Sequence, residues 1–483
     1  MGLGLFGGGV GAVKFFLKQS RLGGITVTDL RPEAELKESI NQISEFLAKL
    51  PDKKRPKITY HLGGHRKDDF RKADLIVVNP AVPADSSFLA IARRHHITLT
   101  SETNLFFQYC PCRIVGITGS NGKTTATALL GEILKSAIHP DITSGQFAIR
   151  NVWVGGNIGR GSLLEIVDQI SARDLAVLEL SSFQLEDLGK TEKSPWMSII
   201  LNIKPNHLDR HKTMEAYVDA KKNIIRYQDA KSYTILNLSD PELRTWALQT
   251  QGKVFFFSTI QKLHEGGFIS EGHFCLRLAH QTYRLCRLKE IKLLGKFNYE
   301  NVLAASTAAA LLDVPPKTIA RVIRTFKSVE HRLEFVAEIR GVKYYNDSIA
   351  TNPESTIGAL QSVPGKIILL AGGYDKQLPF DELAREIKKR VKMVILVGAT
   401  AEKIREALLM VRMNKKSILM AKSFPSRDAV ATFEEAVHLA VGNAQRGNTV
   451  LLSPACASYD MFRNFTERGN LFKQLIRAPK KSN

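Results

Sequence analysis

Residues 113–130 read RIVGITGSNGKTTATALL, and no other part of the chain narrows its fold as much. Ile114, Val115 and Ile117 form a short β-branched run of the kind that makes a buried strand. Gly119, Ser120, Asn121 and Gly122 follow as a turn, Lys123, Thr124 and Thr125 come next, and Ala126, Ala128, Leu129 and Leu130 carry helical periodicity. A strand, a glycine-rich turn and a helix N-terminus in that order make a phosphate cradle. Backbone N–H groups converge there, the helix dipole favours an anion, and glycine lets a phosphate come close to the main chain. Lys123 is placed to reach the β- and γ-phosphates, and the Thr124 hydroxyl to meet Mg²⁺. The strict phosphate-loop spacing fails at one position, where Ile117 replaces the first glycine. With the strand before it and the helix after it, the stretch reads as a nucleotide site.

A chain of 483 residues has room for roughly three domains of about 150 residues each. No run approaches the roughly 18 apolar residues of a membrane span, so no integral membrane association is expected. The apolar start, MGLGLFGGGVGAVKFFLK, has no basic segment ahead of it and makes a poor signal peptide. Cys110, Cys112, Cys275, Cys286 and Cys456 are odd in number and show no C-x-x-C spacing. Reduced thiols in a cytoplasm fit that usage. Lys and Arg number 68 against 47 Asp and Glu, a net charge of +21. Such a balance favours anionic partners: nucleic acid, an anionic membrane face or phosphorylated substrates. Apart from Lys53-Lys54-Arg55 and Lys480-Lys481, the charges are scattered and read mostly as solvated surface.

Taken in order, the chain divides into segments 1–110, 111–328 and 329–483, each alternating strands with helices. The expected fold is α/β: a Rossmann-like N-terminal domain, a central phosphate-loop ATPase-like domain with a parallel sheet, and a C-terminal Rossmann-like domain. In the first segment a glycine-rich loop, a helical pattern through Phe15, Phe16 and Leu17, and the strand Ile25-Thr26-Val27-Thr28 end at Asp29, an acid able to hold a ribose hydroxyl. The strand that should precede Gly2 is missing, so either translation starts upstream or the domain lacks a central strand. Residues 73–80, ADLIVVNP, give another strand with a turn at its C-terminal end. In the second segment the strand through Leu178 ends at Glu179, where an acid beside a phosphate loop would hold Mg²⁺. The third segment carries strands at 342–345, 367–371, 393–397 and 449–453.

Nine motifs occur in a fixed order: TGSNGKTT, GGNIG, ELSSFQLE, NHLDRH, YVDAK, KFNYEN, HRLE, NDSIATNPEST and SPACASYD. In this order, and over nearly the full length, the chain resembles the Mur ligases. The resemblance implies ATP-dependent amide formation through an acyl phosphate, in cytoplasmic peptidoglycan precursor synthesis. ELSSFQLE and SPACASYD resemble the branch that adds D-glutamate to UDP-N-acetylmuramoyl-L-alanine, and a monomer is expected.

Carried over by resemblance, Lys123, Glu179, His207 and Lys221 form the catalytic set. Gly119, Ser120, Asn121, Gly122, Lys123, Thr124, Thr125, Asn301, His331, Arg332 and Asp347 would hold ATP. Two Mg²⁺ sites are implied, one on Thr124 and Glu179, the other around Glu179, His207 and Lys221. Lysine cannot bind a metal as an ammonium, and the family's lysine is carbamylated, which makes it an oxygen ligand. Thr351, Lys376, Ser458, Tyr459 and Phe465 match the D-glutamate pocket, where a cation and hydroxyl donors suit carboxylates. Leu5, Phe6, Asp29, Arg31, Asn79 and Asn157, with His207, match the UDP-muramoyl side.

Three positions depart from the family pattern: Phe297 replaces a histidine, Asn206 an aspartate, and Ile349 in NDSIATN a lysine. The last removes a cation beside the reacting carboxylates. Other readings stay open: a related ligase for another amino acid or a folylpolyglutamate synthetase-like enzyme, a nucleotide-binding relative that no longer ligates, and a basic ATPase acting on nucleic acid. The last lacks any aromatic–basic interleaving, so no nucleic acid partner is expected.

Overall fold

The computed structural model describes residues 1–4, 7–19, 22–51, 56–138, 148–157, 161–421 and 429–478. Leu5 and Phe6, the basic run at 53–55 and the lysines at 480 and 481 lie outside them. The chain forms two compact units. One comprises Met1–Leu288 with Glu300–Arg324, the other Lys289–Tyr299 with Thr325–Asn483.

The first unit begins with two parallel pairs, β1 (Gly24–Asp29) with β2 (Lys57–Leu62), and β3 (Leu75–Val77) with β4 (Thr98–Thr100). Met1 and Gly2 bridge the pairs. Gly2 N–H donates to Thr28 O at 2.8 Å, Met1 N donates to Val77 O at 2.9 Å, and Met1 O accepts from Asn79 N–H at 3.1 Å. Beside them lies a cavity of about 660 Å³, lined by residues of both β1 and β3.

The main sheet of this unit is built from β5 (Arg113–Thr118), β6 (Val152–Gly156), β7 (Leu175–Glu179), β8 (Met197–Ile200), β9 (Tyr233–Asn237), β10 (Lys253–Ser258), β11 (Gly266–Ser270), β12 (His273–Leu278) and β13 (Gln281–Arg287). Its order is β13-β12-β11-β10-β9-β8-β5-β7-β6. The strands from β6 to β11 run parallel, whereas β12 and β13 add an antiparallel edge. β5 lies between β7 and β8, and Val115 and Ile117 are wholly buried, as a strand covered on both faces requires. Its C-terminal end therefore opens beside those of β7 and β8, the edge at which parallel sheets bind ligands.

The second unit has a six-stranded sheet of β14 (Glu334–Ile339), β15 (Val342–Asn346), β16 (Lys366–Ala371), β17 (Val391–Leu396), β18 (Ile418–Met420) and β19 (Asn448–Leu452). The order is β14-β15-β19-β16-β17-β18, parallel except for the β14–β15 hairpin. Apolar clusters cover both faces, one including Leu369, Leu383 and Leu451, the other Ile368, Phe433 and Phe472. Its sheet, too, presents strand ends and their loops together, at Asn346 and Leu452.

Candidate active site

The loop after β5 is fixed before any ligand arrives. Ser120 N–H donates to Asn202 O at 2.9 Å and Asn121 N–H to Asn202 Oδ1 at 2.9 Å, while Asn202 Nδ2 returns a bond to Asn121 O at 3.2 Å. Ser120 Oγ donates to Lys204 O at 2.8 Å and lies 2.9 Å from the Tyr217 hydroxyl. The helix Lys123–Ala137 starts at Gly122, whose φ of 85° is left-handed. A Cβ there would lie 2.2 Å from Asn301 Oδ1, so only glycine fits. Lys123 folds back along the loop, its Nζ donating to Gly119 O at 3.0 Å and Ser120 O at 3.1 Å. Thr124 and Thr125 are buried in the first helical turn.

β7 delivers Glu179 to the same edge of the sheet, 2 % exposed. Its Oε1 accepts from Asn157 Nδ2 at 3.2 Å, but its buried Oε2 has no hydrogen-bond partner among the described residues. An orphaned carboxylate oxygen beside a phosphate loop is what a divalent cation would satisfy, so Thr124 and Glu179 fit Mg²⁺. Gly156, at φ 82°, lets the chain turn so tightly against Glu179 that a Cβ would meet its carbonyl oxygen at 2.3 Å. Asn157, expected on the UDP side, thus donates to the Glu179 carboxylate.

The helix Met214–Arg226 carries Lys221 into the core, where its Nζ lies 3.0 Å from Thr118 Oγ1 and 3.1 Å from Gly119 O. Burial, with Lys123 nearby, holds its pKa well below the usual lysine range, against an opposing pull from Glu179. His207 is an exposed, left-handed residue (φ 55°) at the start of the short helix Leu208–His211. Its ring stands 5.1 Å from that of Phe183. Among the described residues no group of three or more His, Cys, Asp or Glu side chains is set to hold a metal. The expected sites draw on a threonine and a carbamate as well, which such a group would not include.

ELSSFQLE also has a structural task. Ser181 and Gln184 form a reciprocal cap on the helix Ser182–Gly189, and Gln184 Nε2 donates to Thr103 Oγ1 at 3.1 Å. Phe183 stacks on His211 at 5.0 Å and lies under Arg210 at 4.0 Å.

In the second unit, the residues expected at the nucleotide meet around the end of β15. Asp347 Oδ1 accepts from Leu333 N–H at 3.1 Å and Oδ2 from the Ser453 hydroxyl at 2.8 Å. Burial pushes its pKa up to about 7 despite these bonds. His331 (φ 64°) places its Nδ1 3.0 Å from Asn346 Nδ2, and burial, helped by Lys473, lowers its pKa. His331 Nε2 and Arg332 Nε are buried without hydrogen-bond partners among the described residues, two polar nitrogens a nucleotide could satisfy.

One buried side chain, Arg468, ties together backbone beside three of the D-glutamate candidates, Ser458, Tyr459 and Phe465. Arg468 Nε donates to Ser348 Oγ at 3.0 Å, and its Nη atoms donate to Ser348 O, Cys456 O and Ala457 O at 2.8, 3.1 and 3.3 Å. Ser348 Oγ in turn donates to Phe465 O at 2.7 Å. Tyr374 N–H donates to Ala457 O at 2.9 Å, which brings the loop of Lys376 to that of Ser458 and Tyr459. The rings of Tyr374 and Tyr459 stand 6.0 Å apart. Thr351 follows Ala350, whose N–H donates to Asp347 O at 2.9 Å. Ser458 is buried, whereas Lys376 and Tyr459 are exposed.

On the UDP side, Asp29 ends β1 with Oδ2 accepting from Gly4 N–H at 3.1 Å and Oδ1 from Arg31 N–H at 2.9 Å. The Arg31 side chain is exposed near Glu35. Asn79 Oδ1 caps its own turn by accepting from Ala81 N–H at 3.0 Å. Leu5 and Phe6 lie outside the described residues. Sequence reasoning assigned no role to Tyr217, Asn202, Ser453 or Arg468. Tyr217 lies within YVDAK and Ser453 opens SPACASYD, so motif membership could have flagged both.

Known proteins bear on this geometry. The Mur ligase middle domain model matches residues 117–309, and the Mur ligase glutamate ligase domain model matches residues 331–456. A UDP-N-acetylmuramoylalanine–D-glutamate ligase of Roseiflexus sp. (strain RS-1) is 42% identical over 487 positions, covering 99% of this chain and 97% of that protein. One of the same name from Thermoanaerobacter sp. (strain X514) is 41% identical over 443, covering 91% and 90%. Among solved structures, MurF from Acinetobacter baumannii shares the fold with a TM-score of 0.57 at 15% identity, covering 95% of this chain and 93% of its own. MurF ligase from Thermotoga maritima, in complex with ADP, gives 0.56 at 18%, covering 95% and 96%. With two family models matched in order and relatives this similar end to end, the chain belongs to the Mur ligase family.

Proposed function

We propose that this chain adds D-glutamate to UDP-N-acetylmuramoyl-L-alanine at the expense of ATP, an amide-forming step of cytoplasmic peptidoglycan precursor synthesis. The observation that carries the reading is the convergence of the phosphate loop, the orphaned Glu179 Oε2 and the buried Lys221 at one strand edge. The two closely similar relatives bear the name of that reaction.

The alanyl carboxylate oxygen attacks the γ-phosphorus of ATP, the bond to the β-phosphate oxygen breaks, and ADP leaves. The amine of D-glutamate then adds to the acyl carbon, loses a proton, and expels phosphate. Such phosphoryl transfer asks the protein for positioning and charge neutralisation more than covalent help. Loop N–H groups and Lys123 would orient the triphosphate, and Asn301, His331, Arg332 and Asp347 are the other residues we assign to ATP. The chemistry supplied by bound Mg²⁺ is neutralisation of phosphate charge. Thr124 and Glu179 would hold one ion; Glu179, His207 and a carbamate on Lys221 would hold the second.

D-Glutamate would be bound by Thr351, Lys376, Ser458, Tyr459 and Phe465, and the UDP-muramoyl group by Asp29, Arg31, Asn79, Asn157 and the segment of Leu5 and Phe6. We read the chain as three working domains, 1–110, 111–328 and 329–483, acting as a monomer. The test is product identity. Incubation with ATP, Mg²⁺, UDP-N-acetylmuramoyl-L-alanine and D-glutamate should yield a nucleotide heavier by one glutamyl residue, with ADP and phosphate in equal amount. ATP binding without that adduct would refute ligation.

A further inference from the structure

The helix Glu102–Tyr109 ends because Pro111 disfavours helical backbone at the residue before it. Cys110 accordingly turns extended, at φ −68° and ψ 118°, while its N–H still donates to Phe106 O at 2.8 Å. One proline further on, Cys112 leads directly into β5. This short connection folds the two thiols onto each other, with Sγ atoms 3.5 Å apart and hydrogen-bonded. Cys110 Sγ also lies 3.8 Å from Cys112 O.

Their surroundings differ. Cys112 is buried in the cluster of Phe106, Phe107, Ile114 and Ala176, whereas Cys110 is half-buried and borders solvent. Either sulfur can be the donor of the hydrogen bond between them. Cys110 is therefore the sulfur that a small oxidant can reach, and a second sulfur is already in contact with it.

We propose that Cys110 and Cys112 are a redox-modification site, a dithiol that a peroxide closes to an intramolecular disulfide and a thiol reductant reopens. The Cys110 thiolate attacks one peroxide oxygen, the O–O bond breaks, and the departing hydroxide takes a proton to leave as water. Cys110 is then a sulfenic acid. Cys112 sulfur displaces its hydroxyl, the S–S bond forms, and the Cys112 proton leaves with that hydroxyl as a second water. Two thiols lose two electrons and one peroxide gains them. The new bond would clamp the end of the helix Glu102–Tyr109 to the entry of β5, the strand that carries the phosphate loop.

The test treats the full chain, natively folded, with hydrogen peroxide, alkylates remaining thiols, and reads the peptide spanning 110–112 by mass spectrometry. The expected peptide is unalkylated and two hydrogens lighter than the dithiol, and dithiothreitol returns it to the doubly alkylated form. Cys110→Ser and Cys112→Ser should each abolish the product. Half-buried Cys110 tolerates serine, so the test stands even if Cys112→Ser fails to fold. Two free thiols after peroxide, sulfinic or sulfonic acid on Cys110 in place of the disulfide, or a disulfide only in denaturant would each overturn the proposal.

Discussion

Lys221 Nζ lies 3.0 Å from Thr118 Oγ1, at the point where β5 gives way to the phosphate loop. An ammonium there, near Lys123 and wholly buried, is disfavoured, and burial shifts Lys221 toward the neutral amine. The neutral amine is the form that adds CO₂ and sheds a proton. With ¹³C-bicarbonate the protein should therefore show a carbamate carbon resonance, absent from Lys221→Arg. Activity of that variant should fall at least about a hundredfold, the scale of losing a group that positions charge at the reacting centre. A spectrum without the resonance would contradict the carbamate.

Gly122→Ala should weaken ATP. Left-handed backbone costs alanine about 1–2 kcal/mol, and its methyl would stand 2.2 Å from Asn301 Oδ1. Isothermal titration should show nucleotide affinity reduced about tenfold or more, with the melting temperature falling less than for a core truncation. Unchanged affinity would exclude this loop as the cradle.

How far the sequence carried these readings depends on where each residue's partners lie. The phosphate loop was legible because strand, turn and helix are consecutive, and the buried Ile114, Val115 and Ile117 confirm that strand. Glu179 was legible as the acid ending a buried strand. Arg468 was not. It lies in FTERGNLFKQLIR, an amphipathic pattern in which an arginine reads as surface, yet it is 1 % exposed and its partners are over ten residues away or more. The antiparallel β11–β13 edge was missed because its strands are short and half-exposed, with Gly266-Gly267 at the start. The bridge made by Met1 and Gly2 needs partners at Thr28 and Val77, which no local pattern announces.

Arg468→Met should destabilise the second unit by about 3 kcal/mol or more, because it strips donors from buried Ser348, Cys456 and Ala457 oxygens. Urea unfolding measures the loss. Any folded fraction should show a raised KM for D-glutamate with a smaller change in KM for ATP, since the loops tied by Arg468 carry Ser458 and Phe465.

Asp347 gives stability a pH dependence of definite sign. Its pKa is raised in the fold to about 7, so the folded chain holds more protons than the unfolded one between about pH 4 and that value. This contribution is present at the acid end and lost as pH rises through the window, on the order of 4 kcal/mol. Asp347→Asn should gain on the parent as pH rises from 5 to 8 in thermal melts. A difference that stays flat, or runs the other way, would refute the buried protonated carboxyl.

The most direct measurement is phosphate release from ATP with UDP-N-acetylmuramoyl-L-alanine, comparing D-glutamate, L-glutamate, L-lysine and no amino acid. Release that depends on D-glutamate alone is the predicted result, and it would show that Ile349 in NDSIATN supports turnover. Release with another amino acid in its place, or none with any despite tight ATP binding, would contradict a D-glutamate-adding ligase.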